Sequence, residues 1–151
     1  LQTIFYNQFD IAMVTKGRFS IIMMDIDHFK LVNDHYGHLA GDHVLVHCSN
    51  KIRKQFRNSD FIFRYGGEEF LIILPNCGKE LALKLAETLR EDIERSSCQH
   101  DNQTITYTAS FGVLEVVPHE KMSEDISMSL YIEAVDKKLY LAKKSGRNCV
   151  V

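Results

Sequence analysis

Phe61-Ile62-Phe63-Arg64-Tyr65-Gly66-Gly67-Glu68-Glu69-Phe70-Leu71-Ile72-Ile73-Leu74 is the stretch that decides the fold. Two β-favouring runs, 61–65 and 70–74, flank a Gly-Gly pair. That pattern predicts a β-hairpin whose tight turn uses the positive φ values glycine adopts freely. Two carboxylates, Glu68 and Glu69, directly follow the turn. Upstream, residues 19–25 form a short apolar run that suits a central strand buried on both faces. Asp25-Ile26-Asp27 ends that run with two further acids.

Between and beyond these runs the spacing turns helical. Val44, Leu45, Cys48, Ile52 and Phe56 recur at three- and four-residue steps, which predicts an amphipathic helix over 41–56 with His43, His47, Lys51 and Arg53 outward. Leu81, Leu85, Leu89 and Ile93 repeat the pattern over 80–93. Residues 104–117 are β-branched and aromatic and read as one strand, bent near Gly112. Leu130, Ala134, Val135, Leu139 and Ala142 mark a last helix, with Lys143 and Lys144 in its final turn and Gly146 as its cap. Pro75 and Pro118 read as strand terminators. The order β-α-β-β-α-β-α predicts an α+β fold, a central, mostly antiparallel sheet with helices on its faces.

A chain of 151 residues, 45% hydrophobic and 25% charged, is one globular domain, not a disordered or fibrous segment. Its net charge of −2, with basic residues spread along the chain, argues against DNA or RNA as a partner. The longest apolar runs fall far short of the ~20 residues of a membrane helix, and the first fifteen residues lack signal-peptide order, so the domain is expected to be cytoplasmic and free of membrane contact. Cys48, Cys77, Cys98 and Cys149 are widely spaced with no C-x-x-C pair, and are read as reduced structural thiols. Five of seven histidines crowd between His28 and His47. With no acid between His43 and His47 as a metalloprotease needs, they read as solvated or capping groups, not zinc ligands. The chain opens at Leu1, not Met, which suggests a longer protein.

The chemistry concentrates at strand ends. Asp25, Asp27, Glu68 and Glu69 converging on one sheet edge would repel unless a cation compensated. Oxygen donors favour Mg²⁺ or Mn²⁺ over zinc. Adjacent glycines leave room for a phosphate to approach the backbone.

Arg64-Tyr65-Gly66-Gly67-Glu68-Glu69-Phe70 resembles the signature of the GGDEF domains, the diguanylate cyclases, in its GGEEF form. The resemblance runs through Asp25-Ile26-Asp27-His28-Phe29-Lys30, Asn33-Asp34, Gly37-His38, Gly41-Asp42 and residues 140–148, in order and over nearly the whole chain. It implies a polymerase-palm, nucleotide-cyclase-like fold over 17–151, with 1–16 a degenerate lead-in from an upstream sensor or regulatory domain. It further implies condensation of two GTP into cyclic di-GMP and two pyrophosphates at a homodimer interface.

Carried over by position, the metal ligands are Asp25, the Ile26 carbonyl and Glu68, with Mg²⁺ or Mn²⁺ as cofactor. Glu69 is assigned to a second metal or to deprotonation of the 3′-hydroxyl. Asn33 and Asp42 read guanine, whose N1–H and 2-amino group a carboxylate can accept together. Lys30, Lys143 and Arg147 bind phosphate, the backbone N–H groups of His28 and Phe29 cradle it, and Gly66 and Gly67 lie against the nucleotide. Catalysis is thus placed on Glu68, Glu69, Asp25 and Lys30. Arg57-x-x-Asp60 matches the family's inhibitory product site. Thr88 stands where a further Arg is usual, and Arg90 is the nearby candidate to complete it. The alternative is a non-catalytic module that holds GTP or cyclic di-GMP and signals through contacts; the undamaged Gly-Gly-Glu-Glu argues against it.

Overall fold

β1 (Phe19–Ile26) is buried at every position, as its continuous apolar run requires of a central strand. The computed structural model describes residues 1–119 and 127–151. The hairpin of β2 (Phe61–Arg64) and β3 (Glu69–Pro75) pairs with one side of β1, and β6 (Ala109–Val116) pairs with the other. The order is β2-β3-β1-β6, antiparallel throughout. The α+β expectation is therefore met.

Strand alternation divides the core into two layers. Ile22, Met24 and Ile26 face α3 (His38–Gln55) and α4 (Lys79–Arg95), meeting Val44, Cys48, Ile52, Ala86 and Leu89. Phe19, Ile21 and Met23 face α1 (Gln2–Thr15) and α5 (Met128–Lys144), meeting Phe5, Phe9, Val135 and Leu139. Each buried Val, Leu, Ile, Met or Phe side chain among them contributes about 1.5–3 kcal/mol. Residues 1–16, read as a lead-in, are largely α1, with Phe5 fully enclosed against the sheet. A short helix, α2 (Phe29–Tyr36), leaves β1 through His28, whose φ of 53° turns the chain sharply.

Three expectations need correction. Residues 104–117 are not one strand. β4 (Cys98–His100) pairs with β5 (Gln103–Ile105) as a separate ribbon, and the break at Thr106, Tyr107 and Thr108 leaves the Thr108 carbonyl free to accept from Asp27 N–H at 2.9 Å. Gly112 lies within β6, where the pairing with β1 runs on unbroken. A Cβ there would stand 2.6 Å from the Val135 carbonyl oxygen and 2.5 Å from the Leu139 nitrogen, so glycine is what lets the α5 backbone lie on the sheet. His47 is half-buried, and its Nδ1 shares a 2.7 Å hydrogen bond with the Tyr107 hydroxyl. This ties α3 to the β5–β6 connection. His43 is exposed and its ring meets that of His100 at a tilt, centroids 4.4 Å apart.

All four cysteines are unpaired, three of them buried. Gly146 caps α5 as expected, with Arg147 N–H donating to the Ala142 carbonyl in a Schellman arrangement.

Candidate active site

The β1 and β3 ladder sets Asp25 directly opposite Glu69, and Ile26 N–H donates to the Glu68 carbonyl at 3.2 Å. Asp25 and Glu69 therefore point to the α5 face of the sheet, where Lys143 Nζ donates to Asp25 Oδ2 at 2.6 Å. Asp25 is 7% exposed. Burial pushes its carboxyl above the usual range; Lys143 pulls back, and the charges of Glu68 and Asp27 add to the rise. Burial likewise raises Glu69, reinforced by the Asp25 charge. One ammonium thus faces several crowded carboxylates.

Asp27, also buried, is differently placed. Its carboxylate accepts from Thr108 Oγ1 at 2.7 Å, Ser110 Oγ at 2.6 Å and Asn148 N–H at 3.0 Å. Three donors satisfy it, so it serves as a brace between β1, β6 and the segment after α5.

The glycine turn works otherwise than its composition suggests. Neither Gly66 nor Gly67 has positive φ. The hairpin closes through Tyr65 and Gly66 N–H groups on the Glu69 carbonyl, and the Arg64 guanidinium donates to the Gly67 carbonyl at 2.8 Å. At 66 a Cβ would lie 2.5 Å from Glu69 Oε2 and push that side chain aside, whereas position 67 opens to solvent. The carboxylate edge lies between two depressions of nucleotide scale. One of about 450 Å³ includes Asp27, His28 and Thr108; the other, about 430 Å³, includes Tyr65, Glu69 and Asp136.

The remaining residues fall around this edge. His28 precedes α2; Leu31 and Val32 N–H donate to its carbonyl, while the N–H groups of Phe29 and Lys30 have no backbone acceptor among the described residues. Lys30 and Arg147 are exposed and have no ion-pair partner among the described residues. Asn33 on α2 and Asp42 on α3 are brought together by Gly41, where a Cβ would lie 1.8 Å from Asn33 Oδ1. Gly41 was not singled out in the sequence beyond its place in a motif; only the helix contact reveals why it has no side chain.

Arg57 and Asp60 form a bidentate pair, with Nη2 to Oδ1 at 2.8 Å, and Arg57 N–H also caps Asp60 Oδ2 at 2.8 Å. Arg57 Nη2 reaches the Pro75 carbonyl at 3.3 Å, at the end of the seven-residue β3 remote from Glu69, hence about 20 Å away at ~3.3 Å per residue. Arg90 does not join that pair. Its guanidinium is taken by Glu87, Glu94 and Asn148, beside the brace of Asp27, so it belongs to the active-site end of α4.

The donor set suits a divalent cation. Two carboxylates of a crowded edge and the neighbouring Ile26 carbonyl are hard oxygen donors, and the edge carries more negative than positive charge. Among the described residues no three His, Cys, Asp or Glu side chains form a complete cage. A partial oxygen shell finished by water and substrate phosphate is how Mg²⁺ is ordinarily held.

The helix-faced antiparallel sheet thus gathers carboxylates and cations at one edge. The family described as diguanylate cyclase, GGDEF domain, matches residues 1–149, and the chain belongs to it. Diguanylate cyclase A of Treponema denticola is 41% identical over 135 residues, covering 89% of this chain and 35% of the relative. Diguanylate cyclase VdcA of Vibrio cholerae is 39% identical over 135 residues, covering 87% and 38%. The chain thus spans little more than a third of these curated relatives. Among solved structures, the active GGEEF domain of a diguanylate cyclase from Vibrio cholerae superposes with a TM-score of 0.83 at 32% identity, covering 95% of this chain and 88% of that one. The GGDEF domain of DgcB from Caulobacter crescentus, in complex with c-di-GMP, gives 0.85 at 28% identity, covering 96% and 81%. Among the described residues no helix is long and apolar enough to cross a membrane.

Proposed function

We propose that this domain condenses two GTP molecules into cyclic di-GMP and two pyrophosphates, each domain holding one GTP at the interface of a homodimer. The observation that carries the reading is the in-register pair of Asp25 and Glu69 with Lys143 at 2.6 Å from Asp25, which puts carboxylates and an ammonium at one strand end. The 3′-hydroxyl oxygen of one GTP bonds to the α-phosphorus of the other, the bond from that phosphorus to the bridging oxygen breaks, and pyrophosphate leaves. A second, reciprocal step closes the ring.

In this scheme Asn33 and Asp42 orient the base, and the N–H groups at the start of α2 with Lys30, Lys143 and Arg147 hold the phosphates. Asp25, Glu68 and the Ile26 carbonyl would hold Mg²⁺ or Mn²⁺, which supplies neutralisation of charge on the reacting phosphate. Glu69 serves a second cation or accepts the hydroxyl proton. Incubation with GTP and Mg²⁺ followed by chromatography tests the reading: cyclic di-GMP should accumulate, steeply with protein concentration. GTP bound without turnover would instead show a binding module.

Gly41→Ala isolates the base contact. Asn33 is a flexible side chain that can swing aside, so the melting temperature should stay within about 3 °C, a cost near 1 kcal/mol or less. With Asn33 displaced, GTP affinity should fall about tenfold while ATP affinity holds. Equal losses for both nucleotides would remove Asn33 from base reading.

Arg57 and Asp60 are proposed as a product site. Their remoteness from Glu69 means that cyclic di-GMP bound there acts without touching GTP, so inhibition should be non-competitive. With Thr88 in place of a further Arg and Arg90 engaged elsewhere, binding should be weaker than the family pattern suggests. Arg57→Ala should leave initial rates unchanged and lower product affinity at least tenfold by calorimetry. Equal binding by both proteins, or none by either, would make Arg57 and Asp60 an ordinary ion pair.

A further inference from the structure

Gly146, Arg147 and Asn148 have consecutive positive φ angles of 106°, 64° and 47°. The first is explained by the end of α5, where glycine caps the helix. The other two are not. Arginine is disfavoured in left-handed backbone by its own Cβ, so the surroundings must hold it there.

The restraints fall on the next residue. Asn148 N–H donates to the Asp27 carboxylate at 3.0 Å, tying the turn to the end of β1. The Asn148 side chain is gripped from α4: Oδ1 accepts from Arg90 Nη1 at 2.9 Å, and Nδ2 donates to Glu94 Oε1 at 3.0 Å. Arg90 is itself fixed, donating to Glu87 Oε1 at 2.7 Å and to Glu94 Oε2 at 2.6 Å. Asparagine suits the position twice over, since it tolerates left-handed backbone and its amide donates and accepts at once. Between these bolts and the helix end stands Arg147, exposed, its guanidinium without a partner among the described residues.

We propose that Asn148 and Arg90 are positioning residues for the phosphate grip, holding the strained turn that presents Arg147. The inference rests on the reading of this edge as a GTP site. Lys143 sits on α5 itself and is independent of the turn, so losing the bolts weakens the hold on phosphate without disturbing the base contacts.

The test compares 3′-deoxy-GTP, which lacks the attacking hydroxyl and is not consumed, with GMP, both titrated with Mg²⁺ by calorimetry. Asn148→Gly keeps the left-handed backbone accessible and removes the amide; Arg90→Met keeps an unbranched side chain and removes the guanidinium. Each should weaken 3′-deoxy-GTP about tenfold, or about 1.4 kcal/mol, and weaken it at least fivefold more than GMP. Equal losses for both nucleotides, or no loss, would overturn the proposal. If Asn148→Gly does not fold, Arg90→Met carries the same expectation; failure of both to fold would make the pair structural and also overturn it. Failure of the unmodified protein to bind 3′-deoxy-GTP would refute the GTP reading itself, and this inference with it.

Discussion

Glu68→Gln should lower cyclic di-GMP formation by about a thousandfold or more, equivalent to some 4 kcal/mol of transition-state stabilisation, with the fold intact. The substitution keeps the shape of the side chain and removes a full charge from the edge where Ile26 N–H meets the Glu68 carbonyl, so backbone pairing is untouched. Thermal stability without metal should hold or rise, because the Glu68 charge is one of those that burden the buried Asp25. Steady-state product formation in Mg²⁺ decides the matter. A rate within about threefold of the unmodified protein, a difference under ~0.7 kcal/mol, would remove Glu68 from the metal site.

Gly112→Ala should have the largest effect on stability. The added methyl would stand 2.5 to 2.6 Å from two backbone atoms of α5, and backbone cannot swing aside as a side chain can. The helix must retreat from β6, loosening the contacts of Val135 and Leu139 with Met23 and Leu71. Overpacking of this kind costs about 1–3 kcal/mol or more, which lowers the melting temperature by roughly 3–10 °C for a domain of this size. Activity should fall as well, since Lys143 rides on the same helix. A melting temperature within about 2 °C of the unmodified protein would show that α5 is not held this closely.

The contrast between Gly112 and Gly66 shows what a sequence can and cannot tell. The central strand, the hairpin, α3, α4 and α5 were legible because each writes a period of its own into the chain, and burial on one or both faces enforces it. The glycines were misread because composition cannot distinguish a glycine chosen for positive φ from one chosen for space. Gly66 makes room for Glu69, Gly112 for a helix backbone and Gly41 for Asn33, all contacts between elements distant along the chain or folded back on one another. α1 was missed for a related reason. Its apolar residues occur on all sides, with Phe5 buried and Val14 85% exposed, so no stripe marks it.

The site divides along the same line. Residues whose chemistry is stated by type, such as the acids of the edge, could be named from order and spacing. Arg90 is misassigned from sequence to the product site, because its position depends on which end of α4 meets the segment after α5. His47 was misread because its partner, Tyr107, lies in a strand break that β-branched composition concealed.

The unpaired cysteines have a practical consequence. The thiolate is the reactive form, and burial pushes the Cys48 thiol up to about 12 and raises Cys77, Cys98 and Cys149 as well. At neutral pH the three buried thiols therefore resist alkylation and oxidative coupling, and the half-buried Cys149 Sγ is engaged with the Ala142 carbonyl at 3.4 Å. A single cysteine introduced on the outer surface of α1, at Val14 for instance, becomes the preferred target for a maleimide dye or a bifunctional cross-linker. Encounters between two copies can then be followed by fluorescence or by covalent trapping without first stripping the protein of its own sulfur.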